Sequence, residues 1–325
     1  MKQGSSHKKK MVPGTIFGKW CLAPFLTFIV GPTASGKTAV AIELAKMINA
    51  EIISCDSMQV YKGMDIISQK ATKAQRKQIS HHAIDIISPT CNFSVADYKK
   101  KALKAIKSIH KKGKQVLFVG GTALYMKALI DGLFSSPKPD LKLRRKLESE
   151  SAQKPAGYLH KKLKKLDPAT AQILHPNDIR RIIRALEVCI KTGNKMSVLK
   201  KKTKGLSKDY KIKVFCLNMP REKLYERINK RVDVIFRKGA MTECKRLKNK
   251  KLSKSASQIL GCKEIFAYLD KKCTKQEAKD MLKQNTRRFG KRQLSWFRND
   301  ERIKWININS GESAKEIAGK IALLL

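Results

Sequence analysis

"FLTFIVGPTASGKTAVAIELAKMIN", Phe25 to Asn49, carries an apolar run into a glycine-rich turn and then into residues with helical apolar spacing. Within it, Gly31-Pro32-Thr33-Ala34-Ser35-Gly36-Lys37-Thr38 matches the pattern of a glycine, four residues, then Gly-Lys-Thr, which cradles phosphate where a strand gives way to a helix. The glycines let the backbone approach an anion, and successive N–H groups and the positive helix end face it. Lys37 adds a point charge, and Thr38 supplies the hydroxyl with which such loops hold Mg²⁺. The stretch calls for a phosphorylated ligand. It leaves open whether that is ATP or another compound, and whether the phosphate is transferred, hydrolysed or only gripped.

A second apolar run, Ala50 to Ser54, leads into Cys55-Asp56-Ser57, which puts Asp56 just past the carboxyl end of a second strand, the edge where open α/β sheets bind ligands. Ser94-Val95-Ala96-Asp97 has the form of a capping box and opens a helix that runs to Gly113. "QVLFV", Gln115 to Val119, is then a buried-type strand that breaks into Gly120-Gly121-Thr122. Strand, helix, strand at this spacing predicts parallel βαβ units, hence an α/β fold with a parallel sheet flanked by helices. From Ser135 the character changes, with Pro137 and Pro139 followed by basic helix-like segments to about Lys204, which predicts a helical insertion. "KIKVFCLNM" (Lys211 to Met219) and "IKWINI" (Ile303 to Ile308) read as strands again, and Pro220 is placed to start a helix. The predicted organisation is a core over 24–135 and 205–325, an insertion over 136–204 and a disordered basic extension over 1–23.

Lys and Arg number 71 against 26 Asp and Glu, a formal charge of +45 that predicts contact with a polyanion such as nucleic acid. No apolar run approaches the length that spans a bilayer, so no membrane association is expected. The eight cysteines, at 21, 55, 91, 189, 216, 244, 262 and 273, form no Cys-x-x-Cys pair or zinc spacing and read as reduced thiols of a cytosolic protein. The first 42 residues lack acidic side chains, as transit peptides do, but also lack arginine and an amphipathic helix. His81 and His82 have no third ligand at a metal-binding spacing.

Asp56-Ser57-Met58-Gln59-Val60-Tyr61 after the second strand and Gly120-Gly121-Thr122-Ala123-Leu124-Tyr125 after the later one narrow the reading. Further motifs are His82-Ala83-Ile84-Asp85, Asn177-Asp178 with Arg181-Ile182-Ile183-Arg184, and Lys291-Arg292-Gln293-Leu294-Ser295-Trp296-Phe297-Arg298. In this order and spacing, from about Phe25 to Arg298, the chain resembles the tRNA dimethylallyltransferase family, also called tRNA isopentenyltransferases. The resemblance implies a P-loop NTPase-like core with a helical insertion domain. It also implies transfer of a dimethylallyl group from dimethylallyl diphosphate to the exocyclic amine of the adenosine 3′ of a tRNA anticodon, with Mg²⁺ as cofactor. The phosphate loop then grips a pyrophosphate leaving group.

Carried over residue by residue, the resemblance makes Asp56 the base that takes the amine proton, Lys37 a stabiliser of the leaving pyrophosphate, and Thr122 the threonine that orients the base or touches pyrophosphate. Residues 31–38 and Arg231 become the diphosphate site, with Thr38 as metal ligand, while Asp56, Ser57, Met58, Gln59 and Thr122 meet the target base. Arg144, Arg181 and Arg184 match arginines near tRNA, and Arg180 stands where glutamine is usual. Gln258, Gly261 and Lys263 form a tRNA-contacting turn in which Cys262 replaces the usual Tyr. Lys291, Arg292, Gln293 and Arg298 complete the expected RNA contacts, Trp296 and Phe297 are expected in the core, and only Lys70 carries over from the departing segment Ile67-Ser68-Gln69-Lys70. A monomeric, cytoplasmic, bacterial-type enzyme is expected, with a kinase, an adenylate isopentenyltransferase and a non-catalytic RNA binder as the rivals.

Overall fold

Apolar runs without polar alternation become strands covered on both faces, and the computed structural model, which describes residues 25–135 and 137–325, builds a sheet from them. The predicted extension over 1–23 lies outside the described residues. The strands are β1 (Phe25–Val30), β2 (Ala50–Ser54), β3 (His81–His82), β4 (Gln115–Val119), β5 (Lys211–Asn218) and β6 (Ile303–Asn307). Their order is β3-β2-β4-β1-β5-β6, and every neighbouring pair is parallel. In register, Phe28 lies opposite Phe118, with ring centroids 4.4 Å apart and stacked.

Alternate strand residues feed two cores. On one face, helices Val95–Lys111 and Ala123–Ile130 cover Leu26, Phe28 and Phe118, with Tyr98 stacked on Tyr125 at 3.9 Å. On the other, helices Lys37–Met47 and Ala314–Ala322 cover Ile29, Leu117 and Phe215. The Ser94 capping box forms as expected, Ser94 Oγ accepting the Asp97 N–H at 3.2 Å while Asp97 accepts that of Ser94 at 3.0 Å. Phe297 is fully buried, with Trp296 edge-on to it.

The insertion has its own core. Helices Leu141–Gln153, Tyr158–Leu166, Pro168–Ile173, Ile179–Thr192 and Met196–Lys201 enclose Leu147, Leu159, Leu163, Ile182, Ile183 and Leu186. A further apolar cluster binds Val60, Tyr61, Met64 and Ile67 to Ile235, Cys244, Ile259 and Cys262, holding the segment after β2 as a flap at the sheet edge.

A parallel sheet delivers all its strand ends to one edge. The turns after β1, β2 and β4 meet there, and β1 sits where the strand order reverses, the switch point at which open α/β sheets bind ligands.

Candidate active site

At the end of β1 the chain passes so close to β5 that a Cβ on Gly31 would lie 2.9 Å from the Leu217 carbonyl oxygen. Only glycine lets the loop turn there, at a φ of +140°. The loop ends at Gly36, which opens helix Lys37–Met47 with its first N–H groups facing the strand edge. The Lys37 side chain curls back and donates to the Pro32 carbonyl at 2.6 Å. Burial, reinforced by the nearby Arg231 guanidinium, lowers the Lys37 pKa to about 8, with Asp56 pulling the other way.

Asp56 follows β2 and Cys55, and its Oδ1 accepts the Met58 N–H at 2.8 Å, an Asx-type turn. Burial pushes its carboxyl pKa above the usual range, against the Met58 N–H and the charges of Lys37 and Arg231, which lower it. Thr122 fixes this turn, its Oγ1 accepting the Ser57 N–H at 3.0 Å and donating to Ser57 Oγ at 3.2 Å. A Cβ on Gly120 would lie 2.1 Å from the Cys55 carbonyl oxygen, so glycine is required for the β4 turn to reach Asp56.

The amide of Gln293, on helix Lys275–Arg298, joins the two loops: Oε1 accepts the Thr33 N–H at 2.9 Å and Nε2 donates to the Gly121 carbonyl at 2.9 Å. The structure thus buries Gln293 as a brace between phosphate loop and base turn, whereas Lys291, Arg292 and Arg298 stay exposed.

Lys37, Thr38, Asp56 and Arg231 share one cavity of about 620 Å³ with the apolar side chains of Met58, Ile67, Ile235, Leu260, Leu282 and Phe289. Such a space can hold an anion and an apolar group together. Thr38 presents one hydroxyl to a cavity with room beside it for ligand phosphates, and Mg²⁺ is usually held by few protein oxygens together with substrate phosphates, so this donor fits the expected ion. Arg231 lines the cavity, but Arg227, one turn away, is exposed and does not.

The flap is held by a carboxylate the sequence reading missed. Glu243 is only 2% exposed, and its two oxygens accept the N–H groups of Asp65, Ile66 and Ile67 at 2.8, 2.9 and 2.9 Å. Lys70, also buried, donates to the Tyr61 carbonyl at 2.6 Å and to Asp65 at 2.7 Å, and pairs with Asp85. No local pattern marks Glu243, which stands in an ordinary basic helix 176 residues or more from its partners.

The other expected RNA contacts lie apart from the cavity. Arg144 and Arg184, half-buried in the insertion, pair with the fully buried Glu187, Arg144 through two bonds of 2.9 and 2.7 Å. Arg180 is exposed, and Arg181, also exposed, pairs with Asp178 at 2.8 Å. Gln258 and Lys263 are exposed beside Gly261, while Cys262 packs fully inside the flap cluster, so that position is a core position here and presents nothing to a ligand. His82 Nε2 meets Glu51 at 2.7 Å in a cluster with Lys112 and Lys114.

A glycine-rich loop at the switch point, a desolvated carboxylate and a basic helical insertion define a phosphate-gripping α/β protein with room for an apolar substituent. The IPP transferase family model matches residues 59–300. The chain is 46% identical to the tRNA dimethylallyltransferase of Halothermothrix orenii, covering 89% of each chain. It is 47% identical to that of Carboxydothermus hydrogenoformans, covering 91% of this chain and 96% of the other. A full-length tRNA isopentenylpyrophosphate transferase structure from Bacillus halodurans superposes with a TM-score of 0.67 at 40% identity, over 92% of this chain and 95% of that one. A eukaryotic dimethylallyltransferase acting on tRNA superposes with a TM-score of 0.77 at 28% identity, over 92% and 78%. The chain belongs to the IPP transferase family.

Proposed function

We propose that the protein transfers the dimethylallyl group of dimethylallyl diphosphate to the exocyclic amine of the adenosine 3′ of a tRNA anticodon, giving N6-isopentenyladenosine and pyrophosphate. The observation that carries this reading is the joining of a phosphate loop, a desolvated Asp56 and apolar walls in one cavity. The naming of relatives as tRNA dimethylallyltransferases at 46% and 47% identity supports it.

The allylic carbon–oxygen bond breaks with its electron pair leaving on pyrophosphate, and Lys37, Arg231 and the loop N–H groups stabilise that growing charge. Mg²⁺, held by Thr38 alongside the diphosphate, would add Lewis-acid stabilisation of the same oxygens. The adenine leaves its stack to reach the cavity. As its amine nitrogen bonds to the allylic carbon, Asp56 takes the amine proton, a task suited to a carboxylate made more basic by burial. Thr122 acts through Ser57 to hold the turn. Lys291, Arg292, Arg298 and the exposed Arg180 and Arg181 of the insertion bind the tRNA backbone, and the enzyme works as a monomer in the cytoplasm. Among the described residues no helix is long and apolar enough to cross a membrane.

Incubation with labelled dimethylallyl diphosphate and unmodified tRNA tests the reading. Label in RNA is the expected result. ATP consumed while label stays out of RNA would instead point to a kinase.

A further inference from the structure

A larger cavity than the one at the phosphate loop, about 720 Å³, opens at the carboxyl ends of β5 and β6 on the other side of helix Lys275–Arg298. That helix divides the two, presenting Gln293 to the phosphate-loop cavity and Lys291, Leu294 and Arg298 to this one. Its floor is apolar, made of Met219, Leu224, Leu294 and Ile308, and its rim carries four cations, Arg221, Lys223, Lys291 and Arg298. None of the described residues lining it is acidic. Arg221 is set in place by Tyr225, its guanidinium carbon 5.1 Å from the ring centroid. Between floor and rim, Asn218 Nδ2 donates to Asn307 Oδ1 at 2.9 Å. Whichever amide donates, the pair keeps one acceptor oxygen and further N–H donors for a ligand edge. An apolar floor, a polar edge with both donor and acceptor, and a cationic rim match a flat heteroaromatic base joined to a phosphate, and the volume falls in the ~300–1,000 Å³ range of small-molecule sites.

The geometry points to a second ligand site in this cleft, one that takes a nucleoside phosphate with its base on the Met219–Leu294–Ile308 floor and its phosphate at Arg221 and Lys223. That unit is either a free nucleotide or one nucleotide of an RNA strand lying across the sheet edge. The free-nucleotide form is independent of the proposed function, whereas the strand form rests on it, since Lys291 and Arg298 on this rim are assigned there to the tRNA backbone; label transfer by each variant below separates failure of the site from failure of that reading.

The test uses the full chain with its phosphate loop saturated by inorganic pyrophosphate. It titrates adenosine 5′-monophosphate, adenosine and an anticodon stem-loop RNA by calorimetry. Two variants disturb the cleft independently: Arg221→Ala/Lys223→Ala removes rim charge, and Ser310→Trp fills the cleft without changing charge. Lys100→Ala/Lys104→Ala, on the distant helix Val95–Lys111, is the control for lost charge. A free-nucleotide site gives one bound monophosphate, at least about tenfold tighter than adenosine, weakened about tenfold or more by both cleft variants and not by the control. A strand-nucleotide site leaves the monophosphate unbound but lowers stem-loop affinity at least about fivefold in both cleft variants and not in the control. Two results overturn the proposal: monophosphate and RNA affinities unchanged in both cleft variants, or an RNA effect of the charge variant matched by the control and absent from Ser310→Trp.

Discussion

Two influences oppose each other at Asp56: burial favours the protonated acid, while Lys37, Arg231 and the Met58 N–H favour the carboxylate, and burial prevails. Replacement by alanine should lower transfer by about 10²–10⁴, the range of a general base, and leave stem-loop affinity within about twofold; transfer at the wild-type rate would exclude Asp56 as the base. As the proposed base, Asp56 would act deprotonated, and because its pKa is raised the acid fall in kcat/KM should begin at a higher pH than for an ordinary carboxylate. In the proposed role Lys37 would act protonated, and with burial lowering its pKa to about 8, kcat/KM for the diphosphate should also fall as pH rises through about 8. Lys37→Arg should move that alkaline limb upward, and a limb that stays put would assign it to another group. Asp56 and Thr122 could be read from the sequence because each stands in a turn directly after an apolar run, and Lys37 and Thr38 because they close a glycine-rich phosphate pattern at the start of a helix. Glu243 and the bracing role of Gln293 could not, because their partners lie 176 and 172 or more positions away and no short pattern encodes them.

Among the elements, the helix Ile179–Thr192 shows how the insertion is bound together. Glu187, fully buried, accepts from the Asp140 N–H at 2.7 Å and pairs with Arg144 and Arg184. Removing the buried carboxylate leaves the half-buried Arg144 and Arg184 and the Asp140 N–H without their acceptor, which destabilises the packing of the insertion helices. Glu187→Ala should therefore speed hydrogen exchange across 141–201 and weaken stem-loop binding, with pyrophosphate affinity at the phosphate loop unchanged. Exchange left as in the wild type would show that the insertion does not need this cluster. The long strands were legible because parallel strands buried on both faces are continuous apolar runs, as β1 and β4 are. The edge strand His81–His82 was not, since two residues in a polar segment carry no periodicity and pair with β2 only through register. The insertion announced itself by its prolines and basic helices, but the commitment of Arg144 and Arg184 to Glu187 emerged only once the helices were packed.

Taken whole, the molecule places a net charge of +45 around two cavities that share one sheet edge. Counterion release should make RNA binding steeply salt-dependent, with about 0.7–0.9 of a log unit of slope per phosphate contact and a slope of about −3.5 or steeper for five or more contacts. Pyrophosphate binding, confined to the partly buried Lys37 and Arg231, should respond much less. Equal slopes for the two ligands would contradict the separation of RNA surface from diphosphate pocket. The measurement that bears most directly on the proposed transfer is mass spectrometry of tRNA nucleosides from cells with and without this protein. The account predicts N6-isopentenyladenosine next to the anticodon in the first and unmodified adenosine there in the second, with modification restored by the wild-type chain but not by Asp56→Ala. Isopentenyladenosine persisting at that position in cells without the protein and with no other member of the family would contradict it.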